Sequence, residues 1–210
     1  MKDIARIRLA RLADSDALLD IYRPYISMTW LTTEEEVPTS AAFQARVAAI
    51  IDQYPYVVAE VGDEICGYAY AHRHRDRPAY DWSAELSIYL DDDWSGYGLG
   101  KLLYGTVIQL LEYQHVQTVY GMIVRDNEPS AGLHYGLGFT PIARYTKVAY
   151  KRGAWLDLVL FERHIGDHPI PPAPFIPIDR VTKDTVDHIL TVASRTFVSE
   201  LEQKPMRRSK

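Results

Sequence analysis

The sequence predicts an α+β domain with a largely antiparallel central sheet and helices on its faces. Three observations carry this. First, short segments rich in β-branched or alternating apolar residues recur at 56–61, 65–71, 85–90 and 119–124, the pattern of strands. Second, segments of helical period lie among them, and the order of the two kinds is that of an α+β chain. Third, 210 residues with 47% apolar content supply the core of one ordinary domain, with room for an appendage.

The elements follow in order. Ile7-Arg8-Leu9-Ala10 is a first strand. Asp14 or Ser15 caps the next helix, which buries Leu18, Leu19, Ile21 and Tyr22. Residues 25–33 lead into the acidic run Glu34 to Glu36, read as a solvated loop. Ser40 starts a second helix with Phe43, Val47, Ile50 and Ile51 inside. The strand at 56–61 turns at Gly62-Asp63 into the strand at 65–71. In the strand at 85–90, Leu86, Ile88 and Leu90 alternate with Glu85, Ser87 and Tyr89, giving one apolar and one polar face.

A turn with three glycines follows, Ser95-Gly96-Tyr97-Gly98-Leu99-Gly100. Behind it Leu99, Leu102, Leu103, Val107, Leu110 and Leu111 form the apolar face of a helix. After the strand at 119–124, a short helix at 130–137 ends at Gly138. Residues 146–161 read as two last strands turning at Arg152-Gly153. From Gly166 the character changes. Pro169, Pro171, Pro172, Pro174 and Pro177 mark a stiff extended linker. A final helix over 184–201 carries Val186, Ile189, Leu190, Ala193, Phe197 and Leu201 on one face, before a basic tail at 204–210. The expected division is a domain at 1–165 and an extension at 166–210.

Composition narrows the function. A net charge of −5 argues against nucleic acid as the main partner. The single cysteine, Cys66, excludes an internal disulfide and fits a reducing compartment. No apolar run is long enough to span a membrane and no signal-peptide pattern opens the chain, so the expectation is a soluble cytoplasmic protein.

Strand, glycine turn and helix together leave unpaired N–H groups and a positive dipole end at the helix start, a place to hold phosphate. Two common phosphate loops do not fit. The Walker loop would need glycine at Ser95 and Ser or Thr at Leu102, and the dinucleotide fingerprint would need glycine at Lys101.

The turn resembles the coenzyme A pyrophosphate loop of the GNAT superfamily of N-acetyltransferases, with Ser95 where that pattern has Arg or Gln. Reading outward sharpens the resemblance. Gly67-Tyr68-Ala69-Tyr70-Ala71, then Arg75-x-Arg77-x-Ala79-Tyr80-Asp81-Trp82, Glu85-x-Ser87-x-Tyr89, Asn127-x-x-Ser130-x-x-Leu133-His134, Gly138-Phe139 and Gly153-Ala154-Trp155-Leu156-Asp157 stand in the order of the phosphinothricin/methionine sulfone N-acetyltransferase branch. Tyr25-Ile26, Glu36 and Ser40-x-x-Phe43-x-x-Arg46 fit as well. The match covers the first 165 residues or so and leaves the linker and last helix outside. Besides Ser95, departures are Thr33 and His74, where the branch has aromatics, and Val37, where it has proline.

The resemblance implies direct acetyl transfer from acetyl-CoA to a primary amine, with no metal. It implies that the backbone of Ser87, Ile88 and Tyr89 pairs with the pantetheine arm. The N–H groups of Ser95, Gly96, Tyr97, Gly98, Leu99 and Gly100 would take the pyrophosphate, with Asn127 and Ser130 opposite. Glu85 is the expected base, acting directly or through water, since an amine attacks only when unprotonated. His134 is the expected acid for the leaving thiolate; a neutral imidazole there also serves as base or orienting group. Arg75, Arg77 and Tyr80 are expected at the acceptor, because guanidinium pairs bidentately with carboxylate or phosphinate. A homodimer is expected on the same analogy. Two other readings stand beside this one: the same chemistry on a different amine, and a non-catalytic acyl-CoA-binding module with the last helix as partner element. His72-x-His74 and His164-x-x-x-His168 have metal-like spacing but no neighbouring carboxylate or cysteine ligands and are set aside.

Overall fold

The computed structural model describes residues 5–203. Seven strands form one sheet: β1 (Ala5–Leu9), β2 (Tyr56–Val61), β3 (Glu64–Arg73), β4 (Ser83–Leu90), β5 (Thr118–Val124), β6 (Thr140–Lys151) and β7 (Ala154–His164), ordered β1-β2-β3-β4-β5-β7-β6. Every neighbouring pair is antiparallel except β4 and β5. Five helices flank the sheet: α1 (Ser15–Met28), α2 (Ser40–Ala48), α3 (Leu99–Tyr113), α4 (Glu128–Gly136) and α5 (Lys183–Gln203).

The sheet separates two cores. Val57, Ala59, Ala69, Ala71, Ala84 and Leu86 point to one side, under α3 and α5, where Leu103, Val107, Leu110 and Leu111 are fully buried. Short alanines on β3 and β4 let the leucine face of α3 pack close to the sheet. Tyr56, Val58 and Tyr68 point to the other side and meet Leu18, Leu19, Ile26 and Phe43 of α1 and α2. Tyrosines tile this second face: the rings of Tyr56 and Tyr70 stack at 4.6 Å, and Tyr68 lies 5.5 Å from Tyr89. The expected polar face of β4 is therefore corrected. Tyr89 packs into this second core, because α1 and α2 cover the sheet there and leave Ser87 and Glu85 at its rim.

Element boundaries moved where side chains override pattern. α2 stops at Ala48, and Ile50 and Ile51 pack from the turn that follows. α4 begins at Glu128, two residues early, because the side chain of Asn127 accepts from the Ser130 N–H at 3.2 Å and caps it. β6 starts at Thr140 and runs through two register shifts that hide its alternation. Asp14 precedes α1 without capping it through its side chain, which instead takes both terminal nitrogens of Arg8 and the Arg11 N–H.

The linker is extended, as expected, but docked. Trp82 Nε1 donates to Ala173 O at 2.7 Å, and Gln114 Nε2 donates to the carbonyls of Gln53 and Ile176, both at 2.7 Å. α5 then lies on β1 and α3 of its own chain, burying Val186, Ile189, Ala193 and Phe197 in the first core. The basic tail at 204–210 lies outside the described residues. Among the described residues, no helix is long and apolar enough to cross a membrane.

Candidate active site

The site grows from the one parallel pair. β4 and β5 are paired only at Ser83↔Thr118, Ala84↔Val119 and Glu85↔Tyr120. After Glu85 they diverge, while β3 follows β4 to Leu90 and β7 follows β5 to Val124. From Leu86 onward the β5-facing edge of β4 is open. A cleft of about 550 Å³ fills the split. Its walls are Leu86 to Leu90 of β4, Met122 and Ile123 of β5, Asn127, Pro129, Ser130 and Leu133 around α4, and Ser95, Gly100 and Tyr104 around the start of α3. Tyr25, Met28, Thr29 and Leu31, at and after the end of α1, close it from the second face.

Most expected cofactor residues meet here. Ser87, Ile88, Tyr89, Asn127 and Ser130 line the cleft directly. Ser95 and Gly100 also line it, and Gly96, Tyr97 and Gly98 make the turn between them. Gly96 and Gly98 have φ of +84° and +81°, a region that side-chain-bearing residues avoid. Tyr97 and Leu99 direct their side chains into the protein rather than the cleft, Tyr97 against Trp94 at 6.0 Å. Their contribution to a ligand is backbone alone. The turn ends in the N-terminus of a 15-residue helix, whose free N–H groups suit a pyrophosphate.

The expected acid–base residues flank the split from opposite faces. Strand alternation puts Glu85 on the α1–α2 side with its register partners His72 and Tyr120. Its side chain is 23% exposed, and Oε2 lies 3.5 Å from His74 Nδ1. His134 is on the α3–α4 side, 1% exposed among Tyr104, Phe139 and Phe161. Its Nδ1–H donates to Ser130 O at 2.7 Å, so the lone pair is on Nε2, which is buried and has no hydrogen-bond partner among the described residues. Burial pushes the His134 imidazole below its ordinary range, opposed by the Ser130 carbonyl. A neutral ring with its one N–H already committed has no proton to give at Nε2. The ring fits only because residue 121 is glycine: a Cβ there would stand 2.1 Å from Nε2.

Arg75 and Arg77 are not on a strand face. β3 ends at Arg73, which pairs with Asp81 at 2.8 Å, and Arg75 and Arg77 are exposed in the loop beyond. Neither forms an ion pair among the described residues. Tyr80 is 42% exposed, its ring 6.4 Å from His74. The spacing His164-x-x-x-His168 brings both rings onto Thr118 Oγ1, at 3.1 and 3.0 Å.

Two contributors were given no site role by the sequence, although Tyr25 belongs to the family pattern. Tyr104 reaches the cleft from α3 and donates its hydroxyl to Leu86 O at 3.2 Å. Tyr25 sends its hydroxyl to Leu90 O at 2.7 Å, at the far end of the open strand edge. Tyr104 sits in an amphipathic helix where a tyrosine reads as core, and Tyr25 lies in the last turns of α1, where the sequence pattern points to a segment already past that helix.

The Acetyltransferase (GNAT) domain family matches residues 7–160, which take in all seven strands except the first two residues of β1 and the last four of β7, and every helix but α5. The chain belongs to the GNAT acetyltransferase family. A phosphinothricin N-acetyltransferase of Streptomyces viridochromogenes is 33% identical over 175 residues, 83% of this chain and 95% of that one. An L-methionine sulfoximine/L-methionine sulfone acetyltransferase of Pseudomonas paraeruginosa is 32% identical over 81% of this chain and 99% of its own. Among solved structures, a GNAT phosphinothricin acetyltransferase from Sinorhizobium meliloti in complex with AcCoA superimposes with a TM-score of 0.76 at 32% identity, over 87% of this chain and 97% of that chain. The chain is thus a GNAT acetyltransferase in sequence and in fold, and α5 lies beyond the matched segment.

Proposed function

We propose that the protein transfers acetyl from acetyl-CoA to the primary amine of a small amino acid or analogue of the phosphinothricin, methionine sulfone or methionine sulfoximine type. It would do so in the cytoplasm, as a homodimer. The observation that carries this reading is the parting of β4 and β5 after Glu85. It leaves an open strand edge, a glycine turn and a helix N-terminus along one cleft, the donor set an acyl-pantetheine pyrophosphate requires. The names of the relatives support the acceptor class.

In this reading the backbone of Ser87, Ile88 and Tyr89 holds the pantetheine arm and the turn from Ser95 to Gly100 holds the pyrophosphate. Asn127 and Ser130 flank the arm from α4. Ser95 brings no long side chain to the phosphates and its N–H is donated to Asp92 O at 3.2 Å, so backbone N–H groups after it carry that contact. Glu85 stands at the last paired rung, at the inner end of the split, and takes the proton of the acceptor ammonium. Arg75 and Arg77 are uncommitted cations beyond β3, suited to the acceptor's acidic group. The leaving thiolate needs a proton. Tyr104 carries an O–H in the cleft wall, donated to Leu86 O at 3.2 Å, and His134 is a neutral acceptor, so the proton for the thiolate reaches it from either group only after that group exchanges its present hydrogen bond.

Thiol release from acetyl-CoA, followed over a panel of phosphinothricin, methionine sulfone, methionine sulfoximine, spermidine and an aminoglycoside, tests the reading. We expect turnover with the first three, and a fall on the order of 10²- to 10⁴-fold in kcat/KM for Glu85→Gln, the usual range for removing a general base. Turnover only with the polyamine or aminoglycoside would overturn the acceptor class. Acetyl-CoA binding without any turnover would favour a binding module.

A further inference from the structure

Acetylation of an ammonium leaves one proton over. The acceptor enters with three N–H bonds and leaves with one; the C–S bond breaks as the C–N bond forms, and the thiolate takes one proton. The other must leave the site. Glu85 can receive it from the ammonium but must then lose it before the next turnover.

We propose that His74 and Glu85 form one proton-relay pair at the inner end of the split, with His74 carrying that proton from Glu85 to solvent. The inference rests on the reading of Glu85 as the base. In the relay, the acceptor ammonium gives a proton to the Glu85 carboxylate, the carboxyl passes it to the lone pair of His74 Nδ1, the imidazolium releases its Nε2 proton to water, and exchange through water returns the ring to the Nε2–H tautomer before the next turnover.

The geometry supports this residue by residue. His74 Nδ1 is buried and has no hydrogen-bond partner among the described residues, and the nearest carboxylate oxygen is Glu85 Oε2 at 3.5 Å. That gap is a few tenths of an ångström beyond an ordinary hydrogen bond, within about 2.7–3.2 Å, so a small side-chain rotation makes or breaks the contact. The ring stacks on Tyr120 at 4.3 Å with 21° between planes, which fixes its plane and leaves its edge toward Glu85. The side chain keeps 11% of its surface in solvent, an exit for the proton.

The surrounding groups do not compete. His72, opposite Glu85 on β3, has its Nδ1 at Arg73 O, 3.0 Å away. Tyr120 on β5 stays a phenol, pushed up to about 12 by burial and by Glu162 of β7. Tyr80 meets the ring by its edge. Burial, with Arg75 and His72 acting the same way, holds His74 below the ordinary histidine range, and Glu85 works against them. The imidazole therefore stands neutral near pH 7, able to accept.

His74→Phe separates the proton function from the stacking, because a phenyl ring lies on Tyr120 equally well. We expect its affinity for acetyl-CoA and its melting temperature to stay close to wild type. Its kcat/KM near neutral pH should fall about 10²-fold, with part of the loss restored above roughly pH 8.5 or by added imidazole, as for a missing acid–base group. A second readout needs no turnover. In an NMR titration of the histidine ring protons, Glu85→Gln should lower the pKa of His74, since it removes the one charge that raises it. A His74→Phe enzyme with the wild-type pH profile, or a His74 titration unmoved by Glu85→Gln, would overturn the relay alone. Wild-type protein that binds acetyl-CoA and acetylates no amine would overturn the reading beneath it.

Discussion

His134 shows how a residue's environment sets its chemistry. Burial keeps the folded ring neutral, while the same residue in the unfolded chain titrates near its ordinary value, about 6.5. The unfolded state therefore binds the proton first as pH falls. The sign is fixed: stability is full above about pH 6.5 and drops as pH falls through that value, until the lowered folded-state pKa is reached. His74 contributes with the same sign. Urea unfolding between about pH 5 and 7.5 should show this loss, and His134→Gln should flatten part of it; an unchanged slope would mean that the ring charges as readily in the folded protein. Gly121→Ala should cost about 1–3 kcal/mol, because its methyl group claims the space of Nε2. That Glu85 and His134 would stand beside one cleft was legible in the sequence, because each sits at a fixed offset within a family motif, but their roles are proposals. Gly121 and Tyr104 were not legible. Their roles come from contacts across the sheet or from helix to strand, between positions that no local spacing connects.

At the scale of elements, the glycine turn before α3 leans on the C-terminal helix. Phe197 is 1% exposed and its ring lies 6.2 Å from Trp94, which in turn lies 6.0 Å from Tyr97. One turn further along α5, Glu200 Oε2 lies 3.4 Å from where a Cβ on Gly98 would be. Phe197→Ala should cost about 3–5 kcal/mol, the range for emptying a buried aromatic site. It should also weaken acetyl-CoA binding, measured by calorimetry at a temperature where the variant is folded. Lost stability with unchanged affinity would show that the turn holds its shape unaided. For the same reason we expect a chain ended at residue 165 to fold poorly, since it would expose the β1 and α3 surfaces that α5 covers. Most elements were legible because their period is strong: the leucine face of α3 and the apolar face of α5 were read nearly residue for residue. β6 was not, since its register shifts break the alternation, and the polar face of β4 was misread because a sequence does not show that α1 and α2 cover the second side of the sheet.

For the whole molecule, the surface that asks for a partner is the hairpin of β6 and β7. β6 is one of the sheet's two edge strands, β1 being the other, and among the described residues no strand lies beyond it. Trp155 is 61% exposed, Tyr150 56%, Val148 53% and Ile142 49%, and all four are on this hairpin. Large apolar side chains gathered at one edge are characteristic of an interface rather than of solvated surface. A two-fold pair of such hairpins would be self-complementary, and a stable dimer buries about 800 Å² on each side. The same hairpin reaches back to the cleft. Lys151 Nζ, fully buried, donates to Thr32 O at 2.9 Å, Arg152 donates to Ser27 O, and its guanidinium lies 5.2 Å over Trp30. These contacts pin the segment after α1 that closes the cleft with Thr29 and Leu31. An interface at Trp155 and Tyr150 would thus stiffen the hairpin tip and, through Lys151, the acceptor side of the site. Trp155→Glu, which places a charge at the centre of that surface, should convert a dimer to a monomer in light scattering after size-exclusion chromatography. On the proposed assignment of the glycine turn to acetyl-CoA, it should raise KM for the amine more than KM for acetyl-CoA, because that turn lies at the other end of the cleft, against α5. A wild-type monomer would remove the dimer, and a monomeric variant with unchanged kinetics would break the link from interface to site.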